Sequence, residues 1–357
     1  MVKSYRILLS MDFRPGKGGI ARVSNLINNS TKFDKIFSLH GNGHSENSIS
    51  YFNNNRKRFM LDVFSYVIRK RPSLVVCDHV GIASILAFMP KILTTKVVTF
   101  LHDEEAWKCV TGRHKLGLLR SDLLLCNSNY TFKRFIENNS AFANKTQVCL
   151  LAGVPEAFKA NITDMDNAEW INSERPFCIF VSRLWKEHRY KGHFELIKAF
   201  KKYYEKNNKL GLRLAIIGNG DDEGAVKSYI KELDLEGSVH VFTKVSDNEL
   251  INFYSRSIAL FFPSIREGFG LVFLEAMFFK KACIGIANQP AEEIISDYET
   301  GRLLSDNDPE TLYKMLLEID EEPEKIKNYG LNGYKRYQEK FTTAHFKNRF
   351  LELIQNT

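Results

Sequence analysis

No stretch of this chain approaches the run of about 18 apolar residues that a membrane-spanning helix needs. The apolar segment Ile7–Met11 is too short for the core of a secretory leader and reads as a first strand. A cytoplasmic protein is the expectation. Cysteine is scarce, at six residues, and no two form a CxxC pair. Cys77, Cys126, Cys149 and Cys178 lie inside apolar, strand-like runs, so buried reduced thiols are expected rather than a zinc site or a disulfide framework. Internal repeats and low-complexity tracts are lacking, as are zinc-finger, RNP and helix-turn-helix patterns, which argues against nucleic acid as a partner.

What is present describes a globular protein. The 357 residues are 44% hydrophobic and 26% charged, enough for two domains of about 150–200 residues each. Acidic residues are few in the first half. Residues 1–155 hold 22 Lys and Arg against 10 Asp and Glu, whereas the remainder holds 28 against 32. A basic first half suits an anionic partner, such as a membrane surface or a phosphorylated acceptor.

Short β-branched and aromatic runs alternate with amphipathic segments. Strands are expected at Tyr5–Met11, Lys35–Leu39, Leu74–Cys77, Val97–Leu101, Leu123–Asn127 and Val148–Leu151. A second group follows at Phe177–Ser182, Leu214–Ile217, Val239–Phe242, Ala259–Pro263 and Ala282–Ile286. Helical patterns such as Phe194–Tyr204 and Asp222–Leu233 fill the gaps, which implies βα units and parallel sheets. The polar stretch 156–176 reads as a linker between a first domain over 1–155 and a second over 177–335. A charged helical segment, 336–357, is expected to cross back to the first domain.

The strongest chemical signal runs from Arg266 through Glu267, Gly268, Phe269 and Gly270 to Met277. It follows an apolar strand, and its glycines allow a tight loop into a helix beginning near Leu271. A helix start of this kind offers backbone amides to anions and sugar oxygens. Glu267 and Glu275, eight apart, are placed to face one crevice, where carboxylates accept from vicinal hydroxyls.

A second polar loop, after Phe180–Val181, carries Arg183 and Lys191 before Gly192. Two cations at the carboxyl end of a parallel strand suit a diphosphate whose charge grows as its bond to a sugar breaks. Lys186 and Arg189 in the same loop compete for that role. Gly218-Asn219-Gly220 ends a further strand but lacks the third glycine of a dinucleotide fingerprint. In the first domain, Gly18-Gly19 precede a helix and His102-Asp103 follow a strand.

These segments closely resemble the retaining family-4 glycosyltransferases. The resemblance implies an α/β GT-B fold, two Rossmann-like domains facing each other across a cleft. It implies transfer of a hexose or N-acetylhexosamine from a UDP- or GDP-linked nucleotide sugar, without metal or other cofactor, to a glycan hydroxyl. Glu267 would approach the transferred sugar and Glu275 the ribose. The amides around Phe269, Gly270 and Leu271 would contact sugar and phosphate. Arg183 and Lys191 would grip the diphosphate, and His102 would face the sugar. Gly18, Gly19, Gly218 and Gly220 would let backbone approach the donor, with the base near Lys244 and Val245. A lipid-linked acceptor in cell-surface polysaccharide synthesis is expected from the basic first domain. A nucleotide-sugar epimerase, or a non-catalytic glycan-binding protein on the same scaffold, is the alternative. Trp107 and the acidic trio Asp103, Glu104 and Glu105 are further candidates for acceptor contacts.

Two Asp-x-Asp triplets, Asp164-Met-Asp166 and Asp306-Asn-Asp308, do not follow apolar strand runs as a metal-binding turn should. The first is expected in the linker and the second as a helix cap before Pro309. Finally, Asn53–Arg71 reads as one helix with Phe59, Met60, Val63, Phe64, Val67 and Ile68 on a single face. Basic triplets flank it, Arg56-Lys57-Arg58 and Arg69-Lys70-Arg71, with Arg113, Lys115 and Arg120 further along. Peripheral docking on anionic lipid is the expectation drawn from them.

Overall fold

The computed structural model describes residues 5–14, 18–41, 48–89, 95–154, 158, 168–207 and 211–356. Two compact units emerge. The first comprises residues 1–153 and 341–357, the second residues 154–340.

In the first unit the strands are β1 (Arg6–Asp12), β2 (Lys35–His40), β3 (Ile49–Tyr51), β4 (Leu74–Cys77), β5 (Lys96–Leu101), β6 (Leu123–Cys126) and β7 (Thr146–Val148). They form one parallel sheet in the order 3-2-1-4-5-6-7. The order reverses between β1 and β4, whose carboxyl ends therefore flank an open crevice, the usual ligand position in such sheets. Both faces are covered by helices, and the strands are accordingly continuous apolar runs: β4 and β6 are buried throughout.

The second unit contains β8 (Phe177–Val181), β9 (Arg213–Ile217), β10 (Val239–Phe242), β11 (Ala259–Phe261), β12 (Ala282–Ile286) and β13 (Gly301–Leu304). These also pair in parallel, in the order 10-9-8-11-12-13. Here the reversal falls between β8 and β11. Both sheets are doubly wound α/β sheets of the Rossmann type.

The C-terminal helix Thr343–Gln355 belongs to the first unit. Phe346 and Phe350 are fully buried and lie 6.3 and 5.8 Å from the Phe100 ring of β5. The Gly153 amide donates to the Phe341 carbonyl at 2.7 Å, which fixes the place where the chain re-enters.

Several sequence expectations shift. The run Val148–Leu151 is not a strand; β7 ends at Val148. The Cys149 amide still reaches the Cys126 carbonyl at 2.8 Å, and the chain then leaves the sheet toward Phe341, so Leu151 stays buried without pairing. Strands β3 and β13, absent from the expected set, are short and lie at sheet edges, where a weak apolar pattern suffices. The helix expected from Asn53 starts at Arg56 and ends at Lys70. Asn53 and Asn54 are left-handed, with φ of 45° and 61°, and the Asn55 side chain caps the helix by accepting from the Arg58 amide. Its buried stripe is Phe59, Val63 and Val67, whereas Ile68 is exposed. The stretch 156–176 is not all linker, because Ala168–Ile171 is helical within the second unit and Arg213 stacks on Trp170 at 4.0 Å. Asp164 and Asp166 lie outside the described residues. Asp308 accepts from the Glu310 amide at 2.8 Å and caps a helix opened by Pro309, as the sequence suggests. All six thiols are free, but Cys109 is exposed, unlike the other five. Among the described residues no helix is long and apolar enough to cross a membrane.

Candidate functional site

At the reversal of the second sheet, the loops after β8 and β11 are neighbours, and the sequence joins them at a glycine. Gly192 has φ of +83°, and a Cβ there would sit 2.6 Å from the Pro263 carbonyl oxygen. Only glycine permits that approach. The Ile265 amide also donates to the Tyr190 carbonyl at 3.1 Å. Held this way, Lys191 Nζ reaches Glu267 Oε2 at 3.3 Å and lies 5.1 Å from the Phe262 ring. Both partners are largely shielded, with side-chain exposures of 12% and 21%. Arg183 starts the same loop, exposed, with its guanidinium 4.8 Å from the Trp185 ring. Lys191 and Glu267 thus pair at the carboxyl ends of β8 and β11, and Arg183 begins the loop after β8.

The competing cations separate. Arg189 is committed to Asp222 by two 2.6 Å hydrogen bonds, and Asp222 is fully buried. Lys186 is exposed, and its amide donates to Asp221 at 2.9 Å.

After Glu267 the chain turns through Gly270, at φ +93°, into the helix Leu271–Phe278, burying Phe269. Glu275 on this helix is 4% exposed and accepts a 2.5 Å hydrogen bond from the Tyr254 hydroxyl. The two carboxylates therefore have different surroundings, Glu267 against a lysine and Glu275 against a phenol.

Gly218 and Gly220 serve a close approach. Cβ atoms there would stand 1.7 Å from the Ser182 carbonyl oxygen and 1.8 Å from that of Leu184. They let the turn after β9 lie directly on the Arg183 loop, with the Leu184 amide donating to the Asn219 carbonyl at 2.9 Å. The Asn219 side chain in turn accepts from the Lys244 amide at 2.6 Å. Lys244 itself has φ of 56°, a left-handed position more typical of glycine, and Val245 beside it is half-buried.

In the first unit a polar cluster lies at the β1–β4 reversal. Asp78 is fully buried and accepts from the Ser10 hydroxyl at 2.7 Å, the Met11 amide at 2.9 Å and the Ser24 hydroxyl. Burial raises its pKa to about 6, against those hydrogen bonds. His102 Nε2 lies 2.5 Å from the Asp78 carbonyl oxygen. A carbonyl only accepts, so the ring proton sits on Nε2 and Nδ1 remains the acceptor. Burial holds His102 below its ordinary pKa, and hence neutral at pH 7. Its amide donates to Glu105, which also lies 3.5 Å from His79 Nε2. Trp107 packs edge-on to Tyr130 beneath Arg134. Gly18 and Gly19 open the helix Gly18–Ser30 with clear space beside each, and Gly18 has φ of +82°.

Residues 161–336 match the model of the family described as Glycosyl transferases group 1. Over that segment the chain carries the group 1 glycosyltransferase family fold. The match covers nearly all of the second unit, where the Lys191–Glu267 pair and the Arg183 loop stand. The chain is 30% identical over 196 residues to a trehalose synthase of Pyrococcus horikoshii, an alignment covering 52% of the chain and 45% of that protein. The chain thus spans less than half the length of that relative. It is 27% identical over 255 residues to a Campylobacter jejuni N-acetylgalactosamine-N,N'-diacetylbacillosaminyl-diphospho-undecaprenol 4-alpha-N-acetylgalactosaminyltransferase, covering 68% and 64% respectively. The fold agrees with the Anabaena HepE structure in complex with UDP and glucose, at a TM-score of 0.82 and 16% identity over 99% of this chain and 100% of that one. The fold is therefore GT-B: two parallel-sheet Rossmann-like domains.

Three polar positions of this chain escape motif reading. Asp78 and Asn219 each directly follow or interrupt a strand-end turn, a signal available in the sequence. Tyr254 lies in the last turn of the helix Asp247–Arg256 and has none. Among the described residues, no three His, Cys, Asp or Glu side chains group closely enough to hold a metal ion.

Proposed function

We propose that the protein is a retaining, metal-independent hexosyltransferase that moves a hexose or N-acetylhexosamine from a UDP- or GDP-linked donor to a hydroxyl of a lipid-linked glycan. One observation carries this reading: Lys191 pairs with Glu267 where the second sheet reverses, on the loop that Arg183 begins, an edge suited to an anionic ligand. The cations suit the donor diphosphate and its growing charge. Glu267, held by Lys191, suits the transferred sugar, and Glu275 the ribose. The UDP and glucose named for the Anabaena structure and the diphospho-undecaprenol named for the Campylobacter relative support the two substrate classes.

The test is product analysis with a panel of UDP- and GDP-sugars, preceded by a screen for donors that raise the unfolding temperature. The expected product is a new glycosidic bond with the donor's anomeric configuration. An altered free nucleotide sugar would instead indicate an epimerase. Activity should survive EDTA; loss restored by manganese would reinstate the Asp-x-Asp segments as metal ligands.

Glu275→Ala should weaken donor binding by about 1–3 kcal/mol, because ribose hydroxyls lose a buried acceptor. Tyr254→Phe removes one donor to Glu275 and should cost less, about 0.5–1.5 kcal/mol. Calorimetry reads both, and unchanged affinity in Glu275→Ala would remove it from the ribose site.

A further inference from the structure

A cavity of ≈ 150 Å³ opens in the first unit, lined by Met11 of β1, Leu39 of β2 and Gly81 just beyond β4. It therefore sits at the carboxyl end of the first sheet, beside its reversal. Phe59, Met60, Ile82 and Ile85 make its walls apolar, while Arg56, Lys57 and Arg113 stand around it. All three cations are exposed, and no ion pair engages them among the described residues.

Those cations stand at two helix starts. Arg56 and Lys57 open the helix Arg56–Lys70, and Arg113 lies in the first turn of Gly112–Arg120; neither first turn contains an acidic residue. The start of a helix already carries partial positive charge, so cations there are unfavourable by a few tenths to about 1 kcal/mol each. Two helices with the same liability at one cavity call for an anion. His114 registers the crowding: burial, then Arg113 and Arg56, lower its pKa. By contrast, Arg69, Lys70 and Arg71 stand at the far end of a 15-residue helix, roughly 20 Å away.

The surface continuing from the cavity is apolar. Phe88, Leu116 and Leu119 are 62%, 52% and 55% exposed. Leu116 and Leu119 lie three apart on the helix Gly112–Arg120, and Gly117 brings that helix against residues 83–84 of the segment leading to Phe88, where a Cβ would lie 2.4 Å from the Ala83 carbonyl oxygen. A site with an apolar interior, a cationic mouth and an apolar apron fits one class of molecule.

We propose that this cavity binds a phosphorylated lipid, its phosphate or diphosphate at Arg56, Lys57 and Arg113 and its first carbons inside. A cavity of this volume accommodates about a benzene-sized group, so only the carbons next to the phosphate enter. The remaining chain runs over Phe88, Leu116 and Leu119. The inference rests on the transferase reading, since it gives the lipid-linked acceptor a place on the first unit. It also divides the cations of the amphipathic helix: the Arg56 end binds a headgroup and the Arg71 end does not.

Calorimetric titration of the full chain with farnesyl diphosphate tests this, with farnesol and inorganic pyrophosphate as partial ligands. One farnesyl diphosphate should bind per chain, at least tenfold more tightly than either. The triple variant Arg56→Gln, Lys57→Gln, Arg113→Gln should weaken it at least tenfold, while Arg69→Gln, Lys70→Gln, Arg71→Gln changes it less than twofold. Ile85→Trp, which fills the cavity, should weaken farnesyl diphosphate but leave pyrophosphate unaffected. Unfolding temperature and its increase with UDP or GDP verify that each variant is folded. Equal loss in both triple variants, or attachment to phosphatidylglycerol vesicles without saturable farnesyl diphosphate binding, would overturn the site in favour of diffuse membrane attraction. Nucleotide protection without farnesyl diphosphate binding sinks this inference alone. Saturable farnesyl diphosphate binding with no nucleotide protection sinks the transferase reading and leaves the lipid site.

Discussion

Lys191→Ala should lower turnover about 10²–10³-fold, with a smaller loss of donor affinity. The nonbridging oxygens of a departing diphosphate gain charge only as the sugar bond breaks, so a fixed cation helps most in the transition state, by roughly 2.7–4 kcal/mol for a single preorganised group. Lys191 is well placed for this, since it is largely shielded and its ammonium is already oriented by Glu267 and the Phe262 ring. Shielding strengthens its field relative to a solvated lysine. Arg183→Ala should act in the same direction but less, because Arg183 is exposed and packs over the Trp185 ring. One complication is that truncating Lys191 also strands Glu267. A double-mutant cycle with Glu267→Gln separates the effects: if the lysine acts on the diphosphate, Lys191→Ala should still lower turnover at least tenfold in the Glu267→Gln background. Single-turnover rates and donor dissociation constants give the required split. Wild-type turnover in Lys191→Ala would place the diphosphate elsewhere.

How much of this was legible beforehand follows from what each residue needs. The strands β4, β10 and β12 coincide with their expected spans because each is a short apolar run ended by polar or turn residues. Edge strands β3 and β13 were missed because half their partners are absent and little apolar surface is required. Gly192, Gly218 and Gly220 marked loop corners correctly, but their reason is tertiary: each abuts a carbonyl on a neighbouring loop. Sequence spacing likewise left Lys186, Arg189 and Lys191 as alternatives, and only the fold showed Asp222 occupying Arg189. The Tyr254–Glu275 hydrogen bond joins residues 21 apart on different elements and has no local signature. Lys244 shows the converse. A lysine gives no turn signal there, yet its backbone holds a left-handed conformation that glycine adopts more readily.

Acidification should destabilise the protein between pH 6.5 and 4, and His193 should account for a measurable part. It follows Gly192 at the start of the helix His193–Asn207, is fully buried between Phe180 and Phe194, and among the described residues has a hydrogen-bond partner on neither ring nitrogen. Burial, and then Arg189 and Lys191, push its pKa down to about 4, although Asp222 acts against them. The folded pKa lies below the unfolded value near 6.5, so between these values the unfolded chain takes the proton first. Stability is therefore full above pH 6.5 and lost as pH falls toward 4, by about 3 kcal/mol for a shift of this size. His188, also pushed down to about 4, adds to the same slope. Asp78 opposes it: its raised folded pKa makes the folded state the better proton acceptor below pH 6. His193→Leu removes one contributor without stranding a hydrogen-bond partner, so it should change stability at pH 7 by less than about 1.5 kcal/mol. Urea unfolding at intervals from pH 7 to 4.5 should then show the variant losing less stability than the wild type, and parallel curves would mean that His193 is protonated in the folded protein.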